Sequence, residues 1–119
     1  MLSNKPGVER AAILPDATLG KPEHVVTLPR NVPDGVAFDA EGNLYIACYT
    51  PDMIWRLAPV GALDVLAEIW RSVVFSSPTN IAFGGDDMKN LFVASLGRWL
   101  LTKSQMPIAG QPVYYPKIK

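Results

Sequence analysis

Pro33-Asp34-Gly35-Val36-Ala37-Phe38 recurs 45 residues later as Pro78-Thr79-Asn80-Ile81-Ala82-Phe83. A second pair of blocks follows each copy: Leu44-Tyr45-Ile46-Ala47 lines up with Leu91-Phe92-Val93-Ala94, at an offset of 47. Each copy therefore reads as a Pro-led strand ending in Phe, a turn, and a second apolar strand. The extra residues of the second copy fall in its turn, residues 84–90, where insertions are tolerated. A period in the mid-forties with four short strands per repeat is that of a β-propeller blade. The alternative is a small β-sandwich, which needs no repeat at matched residues.

Working outward, 11 Pro and 9 Gly punctuate short runs rich in Val, Ile, Leu, Phe and Tyr, the pattern of an all-β chain with tight turns. The strands are expected at 8–14, 24–28, 35–39, 43–49, 53–58, 64–70, 80–84, 90–96, 98–103 and 112–115. Residues 63–75 also allow an amphipathic helix, because Leu63, Leu66, Ala67 and Trp70 fall at helical spacing. β-Branched Val65, Ile69, Val73 and Val74 favour a strand running into a loop that carries Val73, Val74 and Phe75. Ala40-Glu41-Gly42 reads as a hairpin turn in which Gly42 takes a positive φ. The sum is an all-β partial β-propeller of about two and a half four-stranded antiparallel blades. Within this single unit, 8–28 form the outer half of a blade, 33–70 a full blade and 78–116 the last blade. The aromatic residues Phe38, Tyr45, Tyr49, Trp55 and Phe83 are expected in the core between blades.

The 119 residues carry 11 Lys plus Arg against 11 Asp plus Glu, so a net charge of zero speaks against nucleic acid or an anionic membrane as partner. No apolar run approaches the length of a membrane span, and residues 1–10 lack the apolar core of a signal peptide. A soluble, cytoplasmic protein is the expectation. One cysteine, Cys48, sits in an apolar strand and reads as a packing residue. One histidine, His24, excludes a two-histidine metal site within the chain.

Val32-Pro33-Asp34-Gly35-Val36-Ala37-Phe38-Asp39-Ala40-Glu41-Gly42-Asn43 resembles the late-blade signature of the gluconolactonase/regucalcin (senescence-marker) family of six-bladed propellers. Residues 78–85 followed by Leu91-Phe92-Val93 fit the same family, and the ending Leu96-Gly97-Arg98-Trp99 with residues 110–116 resembles the last blade of its bacterial members. The resemblance covers the chain from about Val8 and corresponds to the C-terminal part of the family's longer propeller. It implies metal-dependent hydrolysis of sugar lactones and related esters. It also implies one divalent cation, Ca or Zn, at the top of the channel, held by a Glu of the first blade, Asn of middle blades and the Asp of the Pro-Asp-Gly motif.

Carried over residue by residue, only Asp34 matches, as metal ligand and as the carboxylate that orients or deprotonates a water. Read from the residues alone, Pro-Asp-Gly is also a favoured turn in which Asp bonds its own backbone. Thr79 takes the equivalent place in the next blade and is a poor ligand. Asn80 is expected to point away from the channel. Asp39 and Glu41 are expected at the hairpin turn, outside the site.

Three functions compete: part of a lactone hydrolase, inactive as a lone chain; a non-catalytic interaction protein; and a small-ligand binder at the channel mouth. Blades that do not close leave open faces, so a homo-oligomer is expected, a dimer above all. A lactone is a partner only if the site is completed.

Overall fold

The structure, a computed structural model, describes residues 6–68 and 76–114. Among these it contains nine strands and no helix. Strands β1 (Gly7–Arg10) and β2 (Glu23–Thr27) form a two-stranded sheet. Strands β3 (Val32–Phe38), β4 (Leu44–Tyr49), β5 (Met53–Leu57) and β6 (Leu63–Glu68) form a four-stranded antiparallel blade in chain order. Strands β7 (Pro78–Gly84), β8 (Asn90–Ser95) and β9 (Leu101–Gln105) form a third sheet, again in chain order. This is a partial propeller, with β3 and β7 as corresponding innermost strands lying side by side. The strand reading of 63–68 holds over the helical one. The remainder of 63–75, with Val73, Val74 and Phe75, lies outside the described residues, as do Tyr115 and the rest of the tail.

Alternation along β4 builds two cores on the blade's opposite faces. Tyr45 and Ala47 face the third sheet and pack with Ile54, Ile81, Leu91, Val93 and Met106. The Tyr45 and Phe83 rings meet edge to face, with centroids 5.4 Å apart and planes at 78°, a favoured aromatic geometry. Leu44, Ile46 and Cys48 face the other way and pack with Trp55, Leu57, Leu63 and the β1–β2 residues Val8, Val25 and Val26. The link between β2 and β3 is pinned by Asn31, which is buried. Its Nδ2 donates to the Pro51 carbonyl at 2.9 Å, and its Oδ1 accepts from Trp55 Nε1 at 3.2 Å.

Several expected boundaries move, each for a local reason. The innermost strands begin earlier than expected, at Val32 and Pro78 rather than 35 and 80. Proline is tolerated there because one edge of an innermost strand has no ladder partner to satisfy. The strand expected at 8–14 stops at Arg10. Beyond it, Asp16 turns the chain by accepting from Thr18 N and Oγ1, and Leu14 N donates to the Thr18 carbonyl. The strand expected at 98–103 runs from Leu101 to Gln105 instead. Leu96 N and Gly97 N donate to the carbonyls of Ser77 and Ser76, which carries the chain past β8 before it reverses. Residues 112–114 are not a strand. The segment before them crosses under two blades: Ala40 N donates to Ala109 O, Gly110 N to Met88 O and Gln111 N to Phe38 O. Phe38, expected in the core, is 47% exposed, because it lines the open groove between β3 and the β1–β2 sheet.

Candidate functional site

Asp34 stands on β3 at a β-bulge. Pro33 pairs with Cys48 and Val36 with Ile46, so β3 carries one residue more than β4 over this span. The same irregularity recurs in β7, where Pro78 pairs with Ser95 and Asn80 with Ala94, leaving Thr79 as the extra residue. The matching bulges give Asp34 and Thr79 corresponding places in the two blades. A bulge re-aims the side chain it carries, and bulges concentrate beside functional sites. The Asp34 side chain is exposed and has no partner among the described residues. It does not bond its own turn, so the capping role that a Pro-Asp-Gly turn would offer is not taken up.

Gly35, next to Asp34, is required by close approach. A Cβ there would lie 2.6 Å from Asn80 Cα, 2.6 Å from Asn80 Oδ1 and 2.7 Å from the Thr79 carbonyl. Strands β3 and β7 therefore meet backbone to backbone at this level. The Asn80 side-chain oxygen lies against Gly35, where it accepts from Ile81 N at 2.9 Å. The structure thus brings Asn80 beside the residue that follows Asp34. The repeat contained a signal for this, since the offset of 45 aligns Asn80 with Gly35 itself. Asp52 anchors the same end of the molecule by accepting from Ser77 N at 2.8 Å.

One carboxylate does not fit a divalent cation, which takes six to eight oxygens if Ca²⁺ and four ligands if Zn²⁺. No group of three or more His, Cys, Asp or Glu that could hold a metal ion occurs among the described residues. His24 is exposed on β2, with Nε2 2.9 Å from Thr27 Oγ1, and Cys48 is fully buried. Burial pushes the Cys48 thiol up to about 12, so it is no nucleophile near neutral pH.

Asp39 and Glu41 lie at the hairpin, as expected, and Asp39 organises it. Asp39 Oδ1 accepts from Glu41 N at 3.0 Å and Asn43 N at 2.9 Å, and Oδ2 accepts from Asn43 Nδ2 at 2.8 Å and Tyr45 OH at 3.0 Å. Gly42 has φ of +81°, the conformation the turn was expected to need.

Two apolar grooves flank the lower half of β3. One, of about 530 Å³, is lined by Val8, Val25, Val26, Val36, Phe38 and Leu44. The other, of about 370 Å³, lies between β3 and β7 against Pro112 and Val113. Phe38 is four residues along β3 from Asp34, roughly 13 Å at ~3.3 Å per residue. The grooves and the carboxylate therefore sit at different levels of the strand.

Residues 8–97 match the sequence profile described as the SMP-30/Gluconolactonase/LRE-like region. A 6-deoxy-6-sulfogluconolactonase of Pseudomonas putida is 40% identical over 63 residues, which cover 53% of this chain and 20% of that protein. Regucalcin of Gallus gallus is 31% identical over 85 residues, covering 67% of this chain and 26% of the relative. The chain thus spans about a fifth to a quarter of the length of these relatives. The structure of a luciferin-regenerating enzyme superposes with a TM-score of 0.70 at 21% identity, over 93% of this chain and 42% of that one. This last likeness carries the fold. No helix among the described residues is long and apolar enough to cross a membrane.

Proposed function

We propose a function from one premise: the chain belongs to the SMP-30/Gluconolactonase/LRE-like family. In our reading it is part of a sugar-lactone hydrolase and contributes Asp34 to a site that further blades complete. The observation that carries this reading is the carboxylate of Asp34, exposed and without a partner among the described residues, at the bulge of an innermost strand inside the stretch matched to the family. In a completed site that carboxylate orients the water that attacks the lactone carbonyl and accepts its proton. Ring opening then leaves a hydroxy acid. A divalent cation, Ca or Zn, belongs to this proposal through the family alone. This chain offers it one carboxylate, and no step is derived through it. The lone chain is therefore inactive. A reducing, cytoplasmic location fits its single buried thiol, and its zero net charge fits a small-molecule partner better than a nucleic acid.

The test is hydrolysis of glucono-δ-lactone followed by proton release, with Ca²⁺ or Zn²⁺ added. The chain alone should show no turnover above buffer. Supplied with the remaining blades of the Pseudomonas putida relative, it should turn over, and Asp34→Ala should lower the rate by about 10²-fold or more. Equal rates for wild type and Asp34→Ala would remove Asp34 from the chemistry.

A second reading, a non-catalytic interaction module, is favoured by the two apolar grooves beside β3. On that reading the isolated chain forms a dimer by covering Val36 and Phe38 face to face. Sedimentation of a 13.0 kDa monomer at high micromolar concentration would end the dimer proposal.

A further inference from the structure

The zero net charge is an average over two unlike parts of the chain. Beyond Asp87 every charged residue is cationic: Lys89, Arg98, Lys103, Lys117 and Lys119. Residues 1–87 hold the remaining six cations and all 11 acids. The loop between β8 and β9, and β9 itself, therefore carry positive charge only, in Arg98 and Lys103.

The same loop exposes large apolar side chains. Trp99 stands wholly in solvent, more exposed than any other large apolar residue described, and Leu96 and Leu101 on either side are 74% and 64% exposed. The loop is held in this shape by its backbone. Leu96 N and Gly97 N donate to the carbonyls of Ser77 and Ser76, and Leu100 N donates back to Arg98 O at 2.9 Å. Gly97 passes so close to Ser76 that a Cβ there would run into the Ser76 side chain. Residues 98–100 thus form a tight tip beyond the end of β8, with Trp99 at its apex. Arg98 is exposed and has no ion pair among the described residues. Single exposed apolar residues are ordinary, but a contiguous patch marks an interaction site.

We propose that this tip docks the protein on an anionic lipid surface. Trp99 sits at headgroup level, where an amphipathic ring is at home. Leu96 and Leu101 enter the boundary with the acyl chains, and Arg98 reaches back to the lipid phosphates or carboxylates. Lys103, two residues along β9 from Leu101 and on the same face, adds a second cation near the surface. Each cation held there strengthens binding by about fivefold. Resting on a bilayer in this way needs no spanning element.

Charge complementarity selects an anionic occupant, and the apolar side chains select lipid among anionic occupants. A nucleic acid would use the two cations and leave the leucines in water. An acidic protein would need a pocket shaped to Trp99 and its neighbours, whereas a fluid bilayer accepts an apolar tip of any outline. The inference is independent of lactone hydrolysis.

The test is co-sedimentation of the full chain with vesicles of phosphatidylcholine, with and without added phosphatidylserine. Binding should be about tenfold or more tighter with phosphatidylserine and weaken as salt is raised. Trp99→Ala with Leu96→Ser should lower it by about tenfold or more, and Arg98→Ala by about fivefold. Val60→Ser should not change it, because Val60 is exposed on the β5–β6 turn, at the other end of the sheets. Lipids brominated on their acyl chains should quench tryptophan emission in the unaltered chain. Trp99→Phe should bind and lose that quenching. Failure to sediment with either vesicle overturns the proposal, as does binding that ignores the Trp99 and Leu96 changes or leaves emission unquenched. Polyglutamate or a mixed-sequence RNA that binds as tightly through the same residues would make the occupant a protein or a nucleic acid and overturn the lipid assignment.

Discussion

Replacing Asp39 with alanine removes one acceptor that four donors share. Two are backbone amides, of Glu41 and Asn43, and two are side chains, Asn43 Nδ2 and Tyr45 OH. The carboxylate is 1% exposed, so water does not replace it freely. Glu41 N lies nearest solvent and can find a water. The other three donors are buried, and leaving a buried donor unpaired costs about 1–3 kcal/mol each. Partial relaxation of the turn puts the expected loss at about 3–5 kcal/mol, a large share of the roughly 5–15 kcal/mol that holds a domain together. Asp39→Asn keeps Oδ1 for the two backbone amides but sets its own NH₂ against that of Asn43, and it should cost about 1–2 kcal/mol.

Urea unfolding at pH 7, read by tryptophan fluorescence, measures both variants. A loss below about 1 kcal/mol for Asp39→Ala would refute the claim that this carboxylate holds the hairpin. The same group gives the fold an acid limb. Burial raises the Asp39 pKa, but the hydrogen bonds from Asn43, Tyr45 and Glu41 together outweigh it and hold the carboxyl below its usual range. A folded pKa below the unfolded one gives stability that is present above the unfolded value, about 3.9, and lost as pH falls through the folded value. The gap between wild type and Asp39→Asn should therefore narrow in acid.

Tyr45 sets the opposite limb: burial and then the neighbouring Asp39 push its hydroxyl up to about 12. Its stabilisation should be complete below the unfolded value near 10 and disappear as pH rises through about 12, and alkaline titration of Tyr45→Phe should lack that loss. Gly35→Ala should destabilise by about 1–3 kcal/mol because its methyl meets the β7 backbone; an unchanged melting temperature would mean that β3 and β7 do not approach as described. Gly42→Ala should cost about 1 kcal/mol for its positive φ, as measured by urea midpoint. Cys48 should resist a thiol reagent until the chain unfolds, and labelling at the rate of a free thiol would contradict its burial.

The repeat made the fold legible because it recorded spacing, and spacing survives where individual strand ends do not. Pro33 and Pro78 marked the innermost strands, and the structure puts a bulge immediately after each. Strand ends were less legible where their cause lies elsewhere in the chain. The start of β9 at Leu101 depends on amides at 96 and 97 reaching back to Ser77 and Ser76. The absence of a strand at 112–114 follows a crossing segment that bonds Phe38 and Met88. No local pattern encodes either contact.

The exposure of Phe38 shows a different limit. Its sequence context is that of Phe83, yet Phe83 packs against Tyr45 while Phe38 projects into a groove. Equivalent residues in a repeat share a direction but not a neighbour. For a propeller, the neighbour on the next blade decides burial, so an apolar residue that the repeat marks as core and the structure leaves bare identifies the face where a blade is incomplete. Asp34 follows the same logic at the other end of β3. Its position is written in the repeat and its bulge, whereas whatever meets its carboxylate is set by neighbouring strands that the local sequence of β3 does not encode.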